Sequence, residues 1–410
     1  MTSAAETTHD RPDPSAALSA RVAGVSESVT LAITAKAKAL RAEGADVIGF
    51  GAGEPDFPSP PHVVEAAQRA ATDPANHKYT PAGGMPLLKE AIAEDTSAHG
   101  GRPTTPDEIL VANGGKHALH AVFQSLLDPG DEALLPAPYW VSYPEQIRLA
   151  GATPVVLPTT ADDGYRVSVD QLDDATTERT KLLVFTSPSN PTGAVYPRAE
   201  VEAIGRWAVD RGIWVVTDEI YEHLVYGDAE HVSMPAVVPE LIDQCVVTNG
   251  VAKTFAMTGW RVGWAIAPAP ITKARSRLQS HTPSTVATGS QHAARAARTG
   301  PRDSVDEMRA TYDRRRRLAH ERLSALPGVT CPLPEGAFYV FPSVEGLLGG
   351  EVAGRTVASS LELCDALLDA AQVALVPGEG FGSPGYVRLS YALADQDLER
   401  GLDRIAEALG

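Results

Sequence analysis

The stretch Lys181-Leu182-Leu183-Val184-Phe185-Thr186-Ser187-Pro188-Ser189-Asn190-Pro191-Thr192-Gly193 passes from an unbroken apolar run into a turn dense in Ser, Pro, Asn and Gly. A run of that length, closed by turn residues, reads as a strand buried on both faces, the kind found in parallel sheets. The pattern recurs at 132–136, 153–157, 213–217 and 245–248. Apolar residues at three-to-four spacing predict helices over 62–72, 86–98, 116–127, 200–210, 302–326 and 395–409. Strands alternating with crossover helices predict an α/β fold around a mixed, mostly parallel sheet. After Pro327-Gly328 the pattern becomes strand, helix and strand again, which predicts a second, smaller α/β domain. The expected divisions are a disordered tail over 1–16, a segment of the small domain over 17–52, a large domain over 53–290 and the small domain over 291–410.

Composition narrows the possible partners. The chain of 410 residues carries 35 Lys and Arg against 52 Asp and Glu, a formal charge of −17. Nucleic acid and anionic membranes both require a cationic footprint, so neither is an expected partner. The run Arg314-Arg315-Arg316-Arg317 is read as a solvated helix face. Cys245, Cys331 and Cys364 are far apart, with neither zinc spacing nor a disulfide framework, so no metal is expected and a reducing compartment fits. Residues Met1 to Pro14 lack the basic start and apolar core of a signal peptide, and the expected location is cytoplasmic.

The polar residues at the strand ends carry the chemistry. The strand at 181–186 leads to Asn190, the strand at 213–217 ends at Asp218-Glu219-Ile220-Tyr221, and the strand at 245–248 leads through Asn249-Gly250 to Lys253. Parallel strands would deliver all three to one sheet edge, where open α/β sheets bind ligands. Alone, a lysine is a snorkelling surface residue. Lys253, however, lies among apolar and small residues with Arg261 eight positions on, and desolvation plus a nearby cation favour its neutral amine. A neutral amine can condense with an aldehyde to an imine, the chemistry of pyridoxal phosphate enzymes.

Six motifs in order carry a resemblance: Gly53-Glu54-Pro55-Asp56-Phe57, Pro138-Tyr139-Trp140, Asn190-Pro191-Thr192-Gly193, Asp218-Glu219-Ile220-Tyr221, Lys253 with Thr258-Gly259-Trp260-Arg261, and Val387-Arg388-Leu389-Ser390-Tyr391. Over about residues 17–409 the chain resembles the fold-type I pyridoxal-phosphate aminotransferases of class I, of the bacterial aspartate (aspartate/prephenate) type. That resemblance implies pyridoxal 5'-phosphate as cofactor. Lys253 would hold it covalently, release it to the substrate amine and then carry the proton between Cα and C4′. Asp218 would pair with the pyridine nitrogen and keep it protonated, while Tyr221 and Asn190 resemble the pair that bonds the phenolate oxygen.

For the phosphate, Gly114-Gly115-Lys116 precede a helix whose first N–H groups can hold an anion. A nucleotide P-loop is the rival reading, but its first glycine is missing and His117 stands where it needs Ser or Thr. Arg261 resembles the family's phosphate arginine. Tyr79 looks like the tyrosine that reaches the phosphate of the neighbouring subunit, which implies a homodimer with shared sites. Trp140 would stack on the ring, and Arg388 would grip the substrate α-carboxylate beside Gly53 and Asn190. The family also tends to have cis bonds at Ala137-Pro138 and Asn190-Pro191.

Two departures appear. Gly250, Val251 and Ala252 offer no hydroxyl next to Lys253 for the phosphate, and Ser26 stands where aspartate- and prephenate-accepting relatives often have a lysine for the distal carboxylate. Lys116 and Thr30 remain as candidates for that carboxylate. The resemblance implies ping-pong transfer from an L-amino acid, first L-aspartate, to 2-oxoglutarate. Transfer involving prephenate or an aromatic oxo acid, or carbon–sulfur elimination, are the alternatives. A non-catalytic sensor built on the same fold would carry a DNA-binding domain, for which the N-terminal residues leave no room.

Overall fold

The computed structural model describes residues 17–409. The tail expected over 1–16 lies outside the described residues. The strands are β1 (Ile48–Gly49), β2 (Ile109–Ala112), β3 (Glu132–Ala137), β4 (Thr153–Pro158), β5 (Thr180–Thr186), β6 (Trp214–Asp218), β7 (Cys245–Gly250), β8 (Gly263–Ile266), β9 (Tyr339–Val340), β10 (Glu351–Val352), β11 (Arg355–Thr356), β12 (Val373–Ala374), β13 (Val376–Pro377) and β14 (Val387–Ser390).

Seven of them form the central sheet in the order β2-β8-β7-β6-β5-β3-β4. The five apolar runs of the sequence are β3, β4, β5, β6 and β7, and they pair in parallel. β8 runs antiparallel to both β2 and β7. These two short strands have no counterpart in the sequence reading: Gly263 opens β8, whereas β2 is apolar at all four positions and as long as the run at 245–248.

Helices cover both faces of the sheet's middle, where β3, β5, β6 and β7 are buried, while β4 at the edge leaves Val156 exposed. Leu183 and Phe185 of β5 pack with Trp207, Ile204 and Val201 of helix Arg198–Arg211. Leu182 and Val184 point the other way, into a layer with Leu119, Val122 and Phe123 of helix Gly115–Leu126. Burying side chains of this size contributes about 1.5–3 kcal/mol each.

A separate core surrounds the three-stranded antiparallel sheet β13-β14-β9, in which β14 is central. Helices Asp303–Ser324, Ser360–Ala371 and Asp395–Leu409 contribute Tyr312, Leu363 and Leu402 to it. The N-terminal segment joins the same body: β1 pairs in parallel with β12.

The arginine run departs from the expected solvated face. In helix Asp303–Ser324, Arg315 and Arg316 are buried, whereas Arg314 and Arg317 are exposed. Burial is tolerated because each buried guanidinium is paired: Arg315 donates to Asp56 at 2.9 Å, and Arg316 to Asp313 at 2.5 Å and to the Pro334 carbonyl at 2.8 Å.

Candidate active site

The register of the parallel strands builds the floor of the site. Thr186, Asp218 and Thr248 lie side by side on β5, β6 and β7, so the turns that follow emerge at one edge. Asn190, Asp218 and Lys253 therefore converge from adjacent strands.

Asp218 is buried, and its donors are neutral. Tyr143 Oη donates to its Oδ2 at 2.7 Å, and the Ile220 N–H to Oδ1 at 3.2 Å. Burial pushes its pKa up to about 6, against the pull of those two hydrogen bonds. Tyr143 is a site residue that the sequence reading missed. It sits in helix Ser142–Leu149, directly after Trp140, is 2% exposed and also lies 3.0 Å from Thr186 Oγ1. Its only sequence signal is its closeness to the Pro138-Tyr139-Trp140 motif.

Lys253 follows β7 and reaches its Nζ to the Gly53 carbonyl. The ammonium is 5.6 Å from the Phe338 ring centroid and 5.9 Å from that of Tyr221. Burial lowers its pKa to about 8; Glu54 opposes the shift and Arg388 adds to it. Tyr221 is buried and shares a hydroxyl–hydroxyl bond of 2.9 Å with Tyr339, another residue that the motifs did not single out.

Arg388, on central strand β14, is 1% exposed. Its Nη1 donates to Asn190 Oδ1 at 2.9 Å and its Nη2 to the Gly51 carbonyl at 2.9 Å, and it stacks 4.4 Å from the Tyr339 ring centroid. Its Nε is buried without an acceptor. Gly53 is confined by the same tyrosine, whose hydroxyl would lie 3.1 Å from an added Cβ. The peptide bonds before Pro138, Pro188 and Pro191 are cis.

At the other end, Gly114 precedes helix Gly115–Leu126 with φ of +84°, and an added Cβ would lie 2.6 Å from Arg261 Nη2. Arg261 thus lies directly against the Gly114 backbone. Lys116 stands 4.9 Å over the Trp140 ring, and partial desolvation and Arg261 lower its pKa. This end is less dry than the sequence suggests, since Arg261 and Lys116 are exposed in the single chain. Thr254, one residue beyond Lys253, has a buried Oγ1 with no partner and is the nearest hydroxyl in that hydroxyl-poor segment. Tyr79 does not join the group: it is 91% exposed.

These residues fit pyridoxal phosphate. Asp218 is a buried acid whose donors are all neutral, and Arg388 has an unmet donor beside two fixed ones. Gly114, lacking a Cβ, lets the Arg261 guanidinium close against the backbone at the start of the helix, where a side chain would displace it. Behind Asp218, Glu219, Glu222 and His231 bring metal-type atoms within 4.8 Å of one another. Arg298, 3.2 Å from Glu222, supplies a cation to that cluster, and Ser233 donates to Glu219 at 2.9 Å.

The expected effect of Tyr143→Phe follows directly. Loss of this donor, whose bond lowers the Asp218 pKa, should move the acid limb of the pH–rate profile up by about one unit. An unmoved limb would remove Tyr143 from the site.

Comparison with known proteins gives the family. The model of the aminotransferases of class I and II matches residues 45–405. An aspartate aminotransferase of Streptomyces avermitilis is 57% identical over 392 residues, covering 96% of each chain. Its counterpart in Geobacillus stearothermophilus is 47% identical over 95% of this chain and 98% of its own. Among solved structures, the aspartate aminotransferase of Rhizobium meliloti superposes with a TM-score of 0.92 at 38% identity, over 96% and 98% of the two chains. That of Thermus thermophilus with maleate gives 0.90 at 42%, over 96% and 99%. No helix among the described residues is long and apolar enough to cross a membrane. A desolvated lysine and a buried acid at neighbouring strand ends thus stand within a matched span of nearly the whole chain, which belongs to the pyridoxal-phosphate-dependent aminotransferases of class I and II.

Proposed function

We propose that the chain moves the amino group of L-aspartate to 2-oxoglutarate in two half-reactions, as a cytoplasmic homodimer. The observation that carries this reading is the Lys253 amine and the Asp218 acid at neighbouring strand ends, with the Arg388 guanidinium reaching Asn190 beside them from β14. The names of the relatives, aspartate aminotransferases at 57% and 47% identity, support the substrate. The large half over 53–290 would hold the cofactor, and 17–52 with 291–410 would carry Arg388.

Bound pyridoxal phosphate supplies an aldehyde and a ring that accepts electrons. Asp218, with its orientation fixed by Tyr143 and the Ile220 N–H, would hold the ring nitrogen as a carboxylate. Lys253, uncharged for much of the time near pH 8, takes and returns the proton at the substrate Cα. Tyr221 and Asn190 would hold the phenolate oxygen. The backbone N–H groups of Gly114, Gly115 and Lys116 with the Arg261 guanidinium would hold the phosphate, and Trp140 would cover the ring. Arg388 turns its unmet Nε and its two Nη groups to the substrate α-carboxylate, already oriented by Asn190 and Gly51.

The ammonium of Lys116, held over Trp140, is the best-situated cation for a second substrate carboxylate. The purified, cofactor-loaded protein should transaminate aspartate with 2-oxoglutarate well above alanine or phenylalanine. Lys116→Ala should raise the KM for aspartate about tenfold and leave that for alanine unchanged. Equal rates across the donor panel would overturn the aspartate reading. Tyr79, bare in the single chain, supports a partner that covers it, and sedimentation at working concentration should show a two-chain species.

A further inference from the structure

One of the buried arginines remains without a function in the site as described. Arg315, whose side chain is 7% exposed, turns inward from helix Asp303–Ser324 and reaches two separate segments of chain. Its Nη1 donates to both oxygens of Asp56, at 2.9 and 3.0 Å, and its Nε to Asp395 at 2.6 Å. Tyr312, on the same helix, donates to Asp56 at 3.3 Å, and the guanidinium lies 5.7 Å from the Phe57 ring centroid.

The two segments are those that make the substrate grip. Asp56 follows closely on Gly51 and Gly53, whose carbonyls accept from Arg388 and Lys253. Asp395 opens the helix that follows β14, which carries Arg388. On the near side, a backbone bond of 2.8 Å from Ser390 N–H to the Phe50 carbonyl already joins them. Arg315 closes the far side, so the stretch Gly51–Phe57 is held at both ends. The planar fork holds two carboxylates in a fixed geometry and at separate nitrogens, whereas a lysine would offer a single flexible point charge.

We propose that Arg315 is a positioning residue, whose clamp on Asp56 fixes the register in which the Gly51–Gly53 carbonyls meet Arg388 and Lys253. The proposal rests on the reading of the site given above. Arg315→Lys removes the fork and Asp56→Asn removes the charge and one of the two acceptor oxygens of the clamp, whereas Asp395→Asn weakens only its other arm.

Hydrogen exchange on the cofactor-free protein should show the amides of residues 51–57 exchanging about tenfold faster in the first two variants and near the wild-type rate in the third. In the loaded enzymes, the KM for the amino donor should rise about tenfold in Arg315→Lys and Asp56→Asn and stay near wild type in Asp395→Asn. Unchanged exchange in 51–57, or faster exchange with equal KM values in all four proteins, overturns the proposal. Failure of the wild type to load the cofactor would instead overturn the site reading, with the exchange rates still deciding whether the clamp exists.

Discussion

Lys253→Ala is expected to abolish covalent capture of pyridoxal phosphate and to lower turnover by at least about a thousandfold. The side chain has two tasks in the proposed reaction: it fastens the cofactor, and it moves the proton at the substrate Cα. Its surroundings serve both. Burial brings the amine to about 8, so about a tenth is uncharged at neutral pH, whereas an ordinary lysine at 10.5 offers almost none. Borohydride reduction of the loaded wild type should leave a permanent adduct on the peptide containing Lys253 and none in the variant. An adduct on another lysine, or full turnover by Lys253→Ala, would end the assignment.

The second large effect is expected at Asp218. Asp218→Asn keeps the shape and the contact with Tyr143 but removes the negative charge that would hold a proton on the ring nitrogen. Breaking a buried ion pair costs about 3–5 kcal/mol. If that cost falls wholly on the transition state, turnover drops by a factor of about a hundred to several thousand. The loaded variant should keep its adduct at Lys253, because the amine is untouched, and lose the rate. Near-normal rates in Asp218→Asn would show that the acid is only a structural element of the strand end.

Much of this molecule can be read from its residues, because the parallel strands lie in its dry middle. Each of β3, β5, β6 and β7 carries apolar residues on both faces, and such a run has few alternative readings. The turns after β5, β6 and β7 stand out as polar punctuation, which is why Asn190, Asp218 and Lys253 could be seen as neighbours. What escaped depends on contacts between distant parts of the chain. Tyr143 meets Asp218 75 positions away, and nothing periodic announces the pair. Arg315 looks like one of four equivalent charges, and only the rotation of its helix separates it and Arg316 from the exposed Arg314 and Arg317. β8 escaped because it opens on Gly263 and carries little apolar pattern, whereas β2, four apolar residues, was as legible as the run at 245–248.

The side-by-side arrangement of Thr186, Asp218 and Thr248 also bears on how this chain can change length. Side chains alternate between the faces of a strand, so gaining or losing one residue inside β6 would turn Asp218 toward the opposite helical layer and shift everything after it by a step. Insertions are therefore to be sought in descendants of this sequence far from these three strands, for example in the solvent-facing bend around Ala161–Gly164. The spacing that brings the acid and the amine together is the part of the chain least free to drift.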